Sequence, residues 1–417
     1  SKSGGTAEVN AYSDFFWEKC VEKFGKKAGE HFIAITDPGT ALEKVATEKG
    51  YWHIFKGDPM VGGRNSALTM FGLVPAALIG MDVEKLLANA KDLADQSVPE
   101  VPFGANPGAM LGAIMGAAWK AGKDKLTILT DPAWESFGAW MEQLIAESSG
   151  KMGKGIVPLA KEPVQSVKDY SKDRIFVYLR SDGSQDGLVS ELIANKVPAL
   201  VFEVKSAYDL GAQFYLWEVA TALACITLGV NSFDQPDVQD NKTRTVNKIN
   251  AFRESGKLVE KDPAFLIGPV KIFLGGGIKI KPGSSVYETV ENYLNSVLKD
   301  GDYVAINAYV PRNDANEELL TTFRGKIVSG FKKATTLGFG PRFLHSTGQL
   351  HKGGADNGVF IQITADPLED IEIPTEGISF GTLIRAQSIG DFEALEARGR
   401  RVMRIHLPKP DHIHLIK

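Results

Sequence analysis

The sequence predicts an α/β protein, with largely parallel sheets flanked by helices, and three observations carry that reading. Short apolar segments alternate with segments of helical period, the pattern of βα units. The chain has 417 residues, 43% of them hydrophobic, enough for two or three packed cores. A strand that ends in Thr-Asp-Pro and runs into a helix occurs twice, at Phe32 to Pro38 and at Leu126 to Pro132. In both copies Asp can cap the helix and Pro can occupy its first position. The repeat is either a duplicated α/β unit or one good strand-to-helix turn used twice.

The candidate strands are His31 to Thr36, Tyr51 to Phe55, Leu126 to Thr130, Ile175 to Leu179 and Ala199 to Val204. Each is short and apolar, as a sheet covered on both faces requires. Between the repeats, Gly108, Gly112 and Gly116 form a small-residue helix face that allows another helix to approach closely. Asp209 to Leu228 has the apolar spacing of one long helix, closed by Gly229. Residues 243–300 carry many charges, Gly275 to Gly277 and Lys281-Pro-Gly, and read as an insertion. Strands follow near Tyr303 to Val310, Val359 to Thr364 and Arg401 to Leu407, with a helix from Gly381 to Ala397 broken near Gly390. The expected organisation is a first unit at 1–105, a second at 106–242, the insertion, and a C-terminal α/β segment at 301–417.

A net charge of −4 provides no basic field, which argues against nucleic acid or an anionic membrane as partner. Cys20 and Cys225 both fall in helical patterns and read as reduced, buried thiols. The apolar run from Gly108 to Trp119 is shorter than the roughly 20 residues of a membrane span. The N-terminus has no signal-peptide pattern, so the cytosol is the expected compartment.

Five motifs carry chemistry. Ser1-Lys-Ser-Gly-Gly-Thr-Ala-Glu opens a helix, and such a turn offers backbone N–H groups, hydroxyls and a helix dipole to an anion. Taken alone, it equally describes a flexible Ser/Gly-rich terminus. Val61-Gly-Gly-Arg-Asn-Ser combines close backbone approach with a projecting Arg64, or is an ordinary loop. Ala146-Glu-Ser-Ser-Gly-Lys puts Glu147 at the end of a helix, where a surface glutamate is the ordinary case. Asn231-Ser-Phe-Asp-Gln-Pro-Asp-Val follows the long helix, with Lys242 shortly beyond, and could be a plain capped helix start. His345-Ser-Thr-Gly-Gln-Leu contains an imidazole suited to proton transfer near neutrality, or a loop histidine stacked on Phe343.

Together these motifs resemble the glucose-6-phosphate isomerase family of the sugar isomerase (SIS) superfamily. The resemblance implies SIS-type parallel sheets and an enzyme, free of metal or cofactor, that interconverts glucose 6-phosphate and fructose 6-phosphate through an enediolate. It assigns Ser1, Lys2, Ser3 and Thr6 to the phosphate and Glu147 to the base that moves the carbon-bound proton. Arg64, next to Gly63, would stabilise the enediolate, and His345 with Lys242 would open the ring. Gln235 would complete the sugar contacts, and Glu8 matches an acidic position of the family. No role passes to His351, and Asp411-His-Ile-His is read as incidental rather than as a metal site. The histidine motif follows the Asp-Gln motif here, an order that resembles the isomerase part of bacterial transaldolase/glucose-6-phosphate isomerase fusions. Family members have over a hundred residues before the phosphate loop, so the chain is expected to be a fragment, with an N-terminal fragment of the same protein as a partner. The family's shared site implies a homodimer. The competing expectations are a sugar-phosphate-binding module without turnover and an inactive isomerase fragment.

Overall fold

The computed structural model describes residues 1–416, with residues 238 and 239 described by backbone alone. Lys417, the end of the last expected segment, lies outside the described residues. The architecture is mixed α/β with parallel sheets flanked by helices. Two compact units divide the chain. The first comprises Ser1–Met110, Ser206–Val219 and Asp370–Phe380, and the second comprises Leu111–Lys205, Ala220–Glu369 and Gly381–Lys417. These limits do not follow the expected ones at 105, 242 and 300.

The first unit opens with α1 (Ala7–Phe24), β1 (Ile33–Thr36), α2 (Ala41–Glu48), β2 (His53–Lys56), α3 (Met70–Leu78) and α4 (Val83–Gln96). Strands β1 and β2 pair in parallel, Ile33 opposite His53 and Thr36 opposite Lys56. His31, expected in the first strand, instead ends a 3-10 turn and stacks on Phe24 at 3.8 Å. Asp37 does not cap a helix either. Thr40 caps α2 by accepting from the Glu43 amide, while Asp37 takes the Lys2 ammonium at 2.6 Å.

Helix α5 (Pro107–Lys120) follows, then β3 (Lys125–Thr130), α6 (Phe137–Ser149), β4 (Val157–Ala160), β5 (Arg174–Arg180), α7 (Asp186–Ala194), β6 (Ala199–Glu203) and α8 (Asp209–Leu228). The four strands form a parallel sheet in the order β4-β3-β5-β6. The glycine face packs as expected: a Cβ added at Gly112 would lie 2.7 Å from Leu223 Cβ, and one at Gly116 would lie 2.7 Å from Thr227 Cβ. Helix α8 is long and apolar enough by length and composition to cross a membrane, a longer stretch than Gly108 to Trp119. The second Thr-Asp-Pro also departs from the capping expectation. The Asp131 carboxylate accepts the amides of Ser181, Asp182, Gly183 and Ser184 and the Tyr178 hydroxyl, fastening the turn after β5. Burial opposes the charge, but the hydrogen bonds from Ser184, Tyr178 and the backbone outweigh it and hold this carboxyl below the usual range.

The rest of the chain supplies α9 (Val238–Ser255), β7 (Phe265–Ile267), β8 (Val270–Leu274), α10 (Val286–Val297), β9 (Tyr303–Tyr309), α11 (Asp314–Phe331), β10 (Ala334–Phe339), α12 (Gly348–Gly353), β11 (Gly358–Ala365), β12 (Glu372–Ile373), β13 (Ile378–Ser379), α13 (Phe380–Ala397) and β14 (Arg401–Leu407). A six-stranded sheet runs β10-β9-β11-β14-β8-β7, parallel up to β14 and antiparallel beyond. Residues 265–274, inside the expected insertion, thus extend this sheet, and Val270 and Ile272 are buried with Ile306, Ile361 and Ile405. Helix α13 is unbroken. Gly390 is a packing residue, because a Cβ there would lie 3.1 Å from Asn241 Oδ1. Edge strands β4 and β10 are bridged within the second unit. Arg324 donates to the carbonyls of Ala160 and Thr335, and Glu162 accepts the Thr335 amide at 2.7 Å while pairing with buried Arg174. Cys225 is buried, but Cys20 is only half-buried; neither forms a disulfide.

Candidate functional site

In the first unit the anion loop is fixed from below by β1. The Lys2 carbonyl accepts the Asp37 amide at 3.1 Å and the Thr36 hydroxyl at 3.2 Å. The Lys2 ammonium is engaged by Asp37 and by the Asp58 carbonyl at 2.7 Å, so it braces the loop. Gly4 has a positive φ of 69°, and a Cβ there would lie 2.9 Å from the Leu42 amide nitrogen; the tight turn requires glycine. Thr6 is the N-cap of α1, but its hydroxyl meets Ser1 Oγ at 3.2 Å instead of turning to the first-turn amides. Hydroxyls and a helix N-terminus therefore meet in one place, the arrangement that favours an anion. Ser3 is exposed, its Oγ accepting the Gly5 amide at 3.4 Å, and Glu8 is half-buried on the first turn of α1. Arg64 sits in a 3-10 turn, Gly63–Asn65, and is only 4% exposed. A Cβ on Gly63 would meet nothing within 4 Å, so the backbone beside Arg64 faces open space.

In the second unit Glu147 lies at the carboxyl end of α6 and is 9% exposed. One turn earlier, Gln143 donates from Nε2 to the His345 carbonyl at 2.9 Å and lies 3.4 Å from Glu147 Oε2. Two motifs separated by almost two hundred residues therefore meet at one side-chain amide. Sequence reading passed over Gln143. Its only signal was the i, i+4 spacing from Glu147, which places both side chains on one helix face.

The Asp-Gln motif is brought to the same helix end. Buried Lys151 pairs with Asp234 at 2.8 Å and donates to the Asn231 carbonyl. Gln349 of α12 accepts the Asp237 amide at 2.9 Å and donates to Asp237 at 2.7 Å and to the Gly150 carbonyl at 2.9 Å. Gln235 is exposed on this loop, and Lys242 is exposed near the start of α9. The histidine against Phe343 is His351, not His345. Its ring lies 6.2 Å from Phe343 and 5.0 Å from Phe360. Burial, then Lys352 and Arg400, push its pKa well below the ordinary value, so this imidazole is neutral. His345, by contrast, is half-buried at the end of a 3-10 turn. No cluster of three or more His, Cys, Asp or Glu suited to a metal occurs among the described residues.

No protein-family model matches the chain. It is similar to the glucose-6-phosphate isomerase of Enterococcus faecalis, 28% identical over 284 residues, which covers 58% of this chain and 63% of that protein. The enzyme of the same name from Heliobacterium modesticaldum is 30% identical over 286 residues, again 58% and 63% of the two chains. That from Parabacteroides distasonis is 29% identical over 294 residues, covering 60% and 65%. The chain thus spans a little under two thirds of the length of these relatives. Among solved structures, a hypothetical protein from Thermus thermophilus superposes with a TM-score of 0.51 at 21% identity, covering 60% of this chain and 70% of that one, a likeness of fold. The similarity recurs across three curated proteins of one name, and it relates this chain, over about 60% of its length, to the glucose-6-phosphate isomerases.

Proposed function

We propose that the protein is an aldose-ketose isomerase that interconverts glucose 6-phosphate and fructose 6-phosphate. The observation that carries this reading is the Gln143 amide, which holds the His345 segment beside the Glu147 carboxylate. Its second support is the name shared by the curated relatives. In this scheme the hydroxyls of Ser1, Ser3 and Thr6 and the α1 amides hold the phosphate, with Lys2 keeping the loop in shape. His345 and Lys242 exchange the protons that open the ring. Glu147 takes the proton from C2 of the open aldose and returns it to C1. Between the two steps the substrate is an enediolate, whose charge Arg64 offsets, a role that costs about 3–4 kcal/mol per donor when lost in other enzymes. Gln235 and Gln143 orient the sugar and the base.

The test is conversion of fructose 6-phosphate, read by a coupled glucose-6-phosphate dehydrogenase assay with and without chelator. Turnover that survives chelation, with deuterium from solvent appearing at C1 or C2, supports the scheme. A chain that binds fructose 6-phosphate yet never exchanges the carbon-bound proton would be a binding module instead.

A further inference from the structure

The proposed isomerase chemistry leaves one built feature of the second unit unused. Beyond the carboxyl ends of β3 and β4, and against the start of α11, lies an open cleft of about 630 Å³. Such crevices at the carboxyl ends of parallel strands are where α/β sheets bind ligands. Its lining is mixed: Ile128, Leu129, Pro132 and Val164 are apolar, and Glu135, Asp314, Glu317 and Glu318 are acidic. The cleft shares Lys161, Glu317 and Thr321 with a smaller chamber of about 60 Å³, lined by Glu142, Arg312, Arg324, Arg342 and Gly338.

Glu142 is what makes the chamber a site. It is 6% exposed, lines the chamber, and accepts no hydrogen bond from any described residue. Arg342 and Arg324 act on it electrostatically, but neither is within ion-pair distance. Arg324 is occupied by Thr335 Oγ1 and by the carbonyls of Lys161, Ala160 and Thr335, and Arg342 donates to the Ala139 carbonyl at 3.1 Å. At the mouth, Lys161 is neutralised by Glu135 and Glu317, and Arg312 by Glu317.

A group seated between Glu142 and the guanidinium groups must accept from the guanidinium side and pair with a carboxyl that accepts when ionised and can donate when protonated. An ammonium cannot accept from the guanidinium groups, and a phosphate is repelled by Glu135, Asp314, Glu317 and Glu318; a hydroxyl both donates and accepts, so it suits Glu142 whether that carboxyl is ionised or protonated. The apolar lining residues suit the C–H face of a sugar. We propose that this cleft and its inner chamber form a second ligand site, which takes a neutral polyhydroxylated molecule, an unphosphorylated sugar or polyol, through a hydroxyl held by Glu142. This site disfavours the anion that the Ser1 to Thr6 loop would favour, and the proposal stands apart from the isomerase reading.

The probe is D-glucitol, followed by saturation-transfer NMR on the full chain in saturating glucose 6-phosphate, so that any contact at the isomerase site is blocked. Transfer to glucitol is expected in the unaltered protein. It should weaken roughly tenfold or more in Glu142→Leu, which removes the acceptor, and in Thr321→Phe, which fills the mouth. Neither change should alter glucose 6-phosphate binding. If Glu142→Leu does not fold, Thr321→Phe decides alone. No transfer in the unaltered protein, which would leave only water in the chamber, overturns the proposal. So does transfer that glucose 6-phosphate abolishes, or that survives in every folded variant.

Discussion

The unit that holds Glu147 and His345 and the unit that holds the Ser1 to Thr6 loop and Arg64 are built to different depths. The first of these has a four-stranded and a six-stranded sheet, with Val304, Ile306, Ile361, Met403 and Ile405 fully buried. The other has a parallel pair of strands and a two-residue antiparallel pair. Its buried hydrophobic residues are Ala11, Ala28, Ala34, Ala46, Leu86 and Ala90 within residues 1–110, joined by Leu216, Trp217, Ile373 and Ile378 from its later segments. An alanine buries far less apolar surface than the roughly 1.5–3 kcal/mol worth gained by a Val, Leu or Phe. Trp52, Leu78 and Ile79 remain 70%, 67% and 79% exposed. The groups proposed for proton transfer thus stand on a heavily packed scaffold, while the anion loop is held by a short list of hydrogen bonds. On the proposed scheme, the heavier packing lies where atoms must meet within hydrogen-bond reach, and the thinner packing where a bound phosphate would organise its own loop.

The difference predicts that ionic contacts carry stability in the second unit and function in the first. The largest effect is expected at Arg174, whose removal strands the Glu162 carboxylate in a fully buried place. Arg174→Met should cost about 3–5 kcal/mol in chemical denaturation. A loss below about 1 kcal/mol would show that the β4–β10 bridge is dispensable and would break the comparison.

Next is Glu147→Gln, which keeps shape and removes the base. Turnover should fall by about 100-fold or more with little change in the substrate dissociation constant. Retained turnover would remove Glu147 from the scheme and leave the packed scaffold without its proposed purpose.

How much of this was legible in the sequence follows from where each signal lies. Asp209–Leu228 and Arg401–Leu407 were read to the residue because apolar periodicity and a terminating glycine or charge are local facts. Val157–Ala160 and Ala334–Phe339 were missed, since a proline in one and two threonines and a glycine in the other mimic loop; their pairing partners lie far along the chain. Asp131 carried the right residue type for a cap, but its partners are the amides of residues 181–184, which no local pattern reveals. Among the site residues, the motif glutamate and histidine were visible as motifs. Gln143 was not, because an amide on a helix face has meaning only once His345 is beside it.

Glu142 sharpens the comparison from the side of cost. Burial pushes its carboxyl up to about 7, against the pull of Arg342 and Arg324. The folded state therefore holds this proton more tightly than the unfolded state does. Its contribution to stability is fully present below pH 4.5, the ordinary value, and is lost as pH rises through about 7. Glu142→Gln removes that loss. Relative to the unaltered protein it should be neutral in stability at low pH and gain up to roughly 2–3 kcal/mol by pH 8. Melting both proteins across this range checks the sign: a Glu142→Gln advantage that shrinks as pH rises contradicts the assignment.

The smallest stability effect is expected in the first unit, at Lys2. Its pair with Asp37 is short, 2.6 Å, but the two side chains are 21% and 14% exposed, so solvent screens the attraction and the net contribution is modest. Lys2→Ala should lower stability by less than about 1 kcal/mol. The main chain of the loop keeps its own ties, because the Lys2 carbonyl still accepts from the Asp37 amide and the Thr36 hydroxyl. What the ammonium adds is a second tether, to the Asp58 carbonyl 56 residues away in sequence. Without it the Ser1 and Thr6 hydroxyls are less often in register for the phosphate, and sugar-phosphate affinity should fall by about tenfold, or about 1.4 kcal/mol. Calorimetric titration with glucose 6-phosphate beside a denaturant melt separates the two quantities. A large loss of stability with unchanged affinity would mean that the thinly packed unit depends on this ion pair as the other depends on Arg174, and the division between the two would not hold.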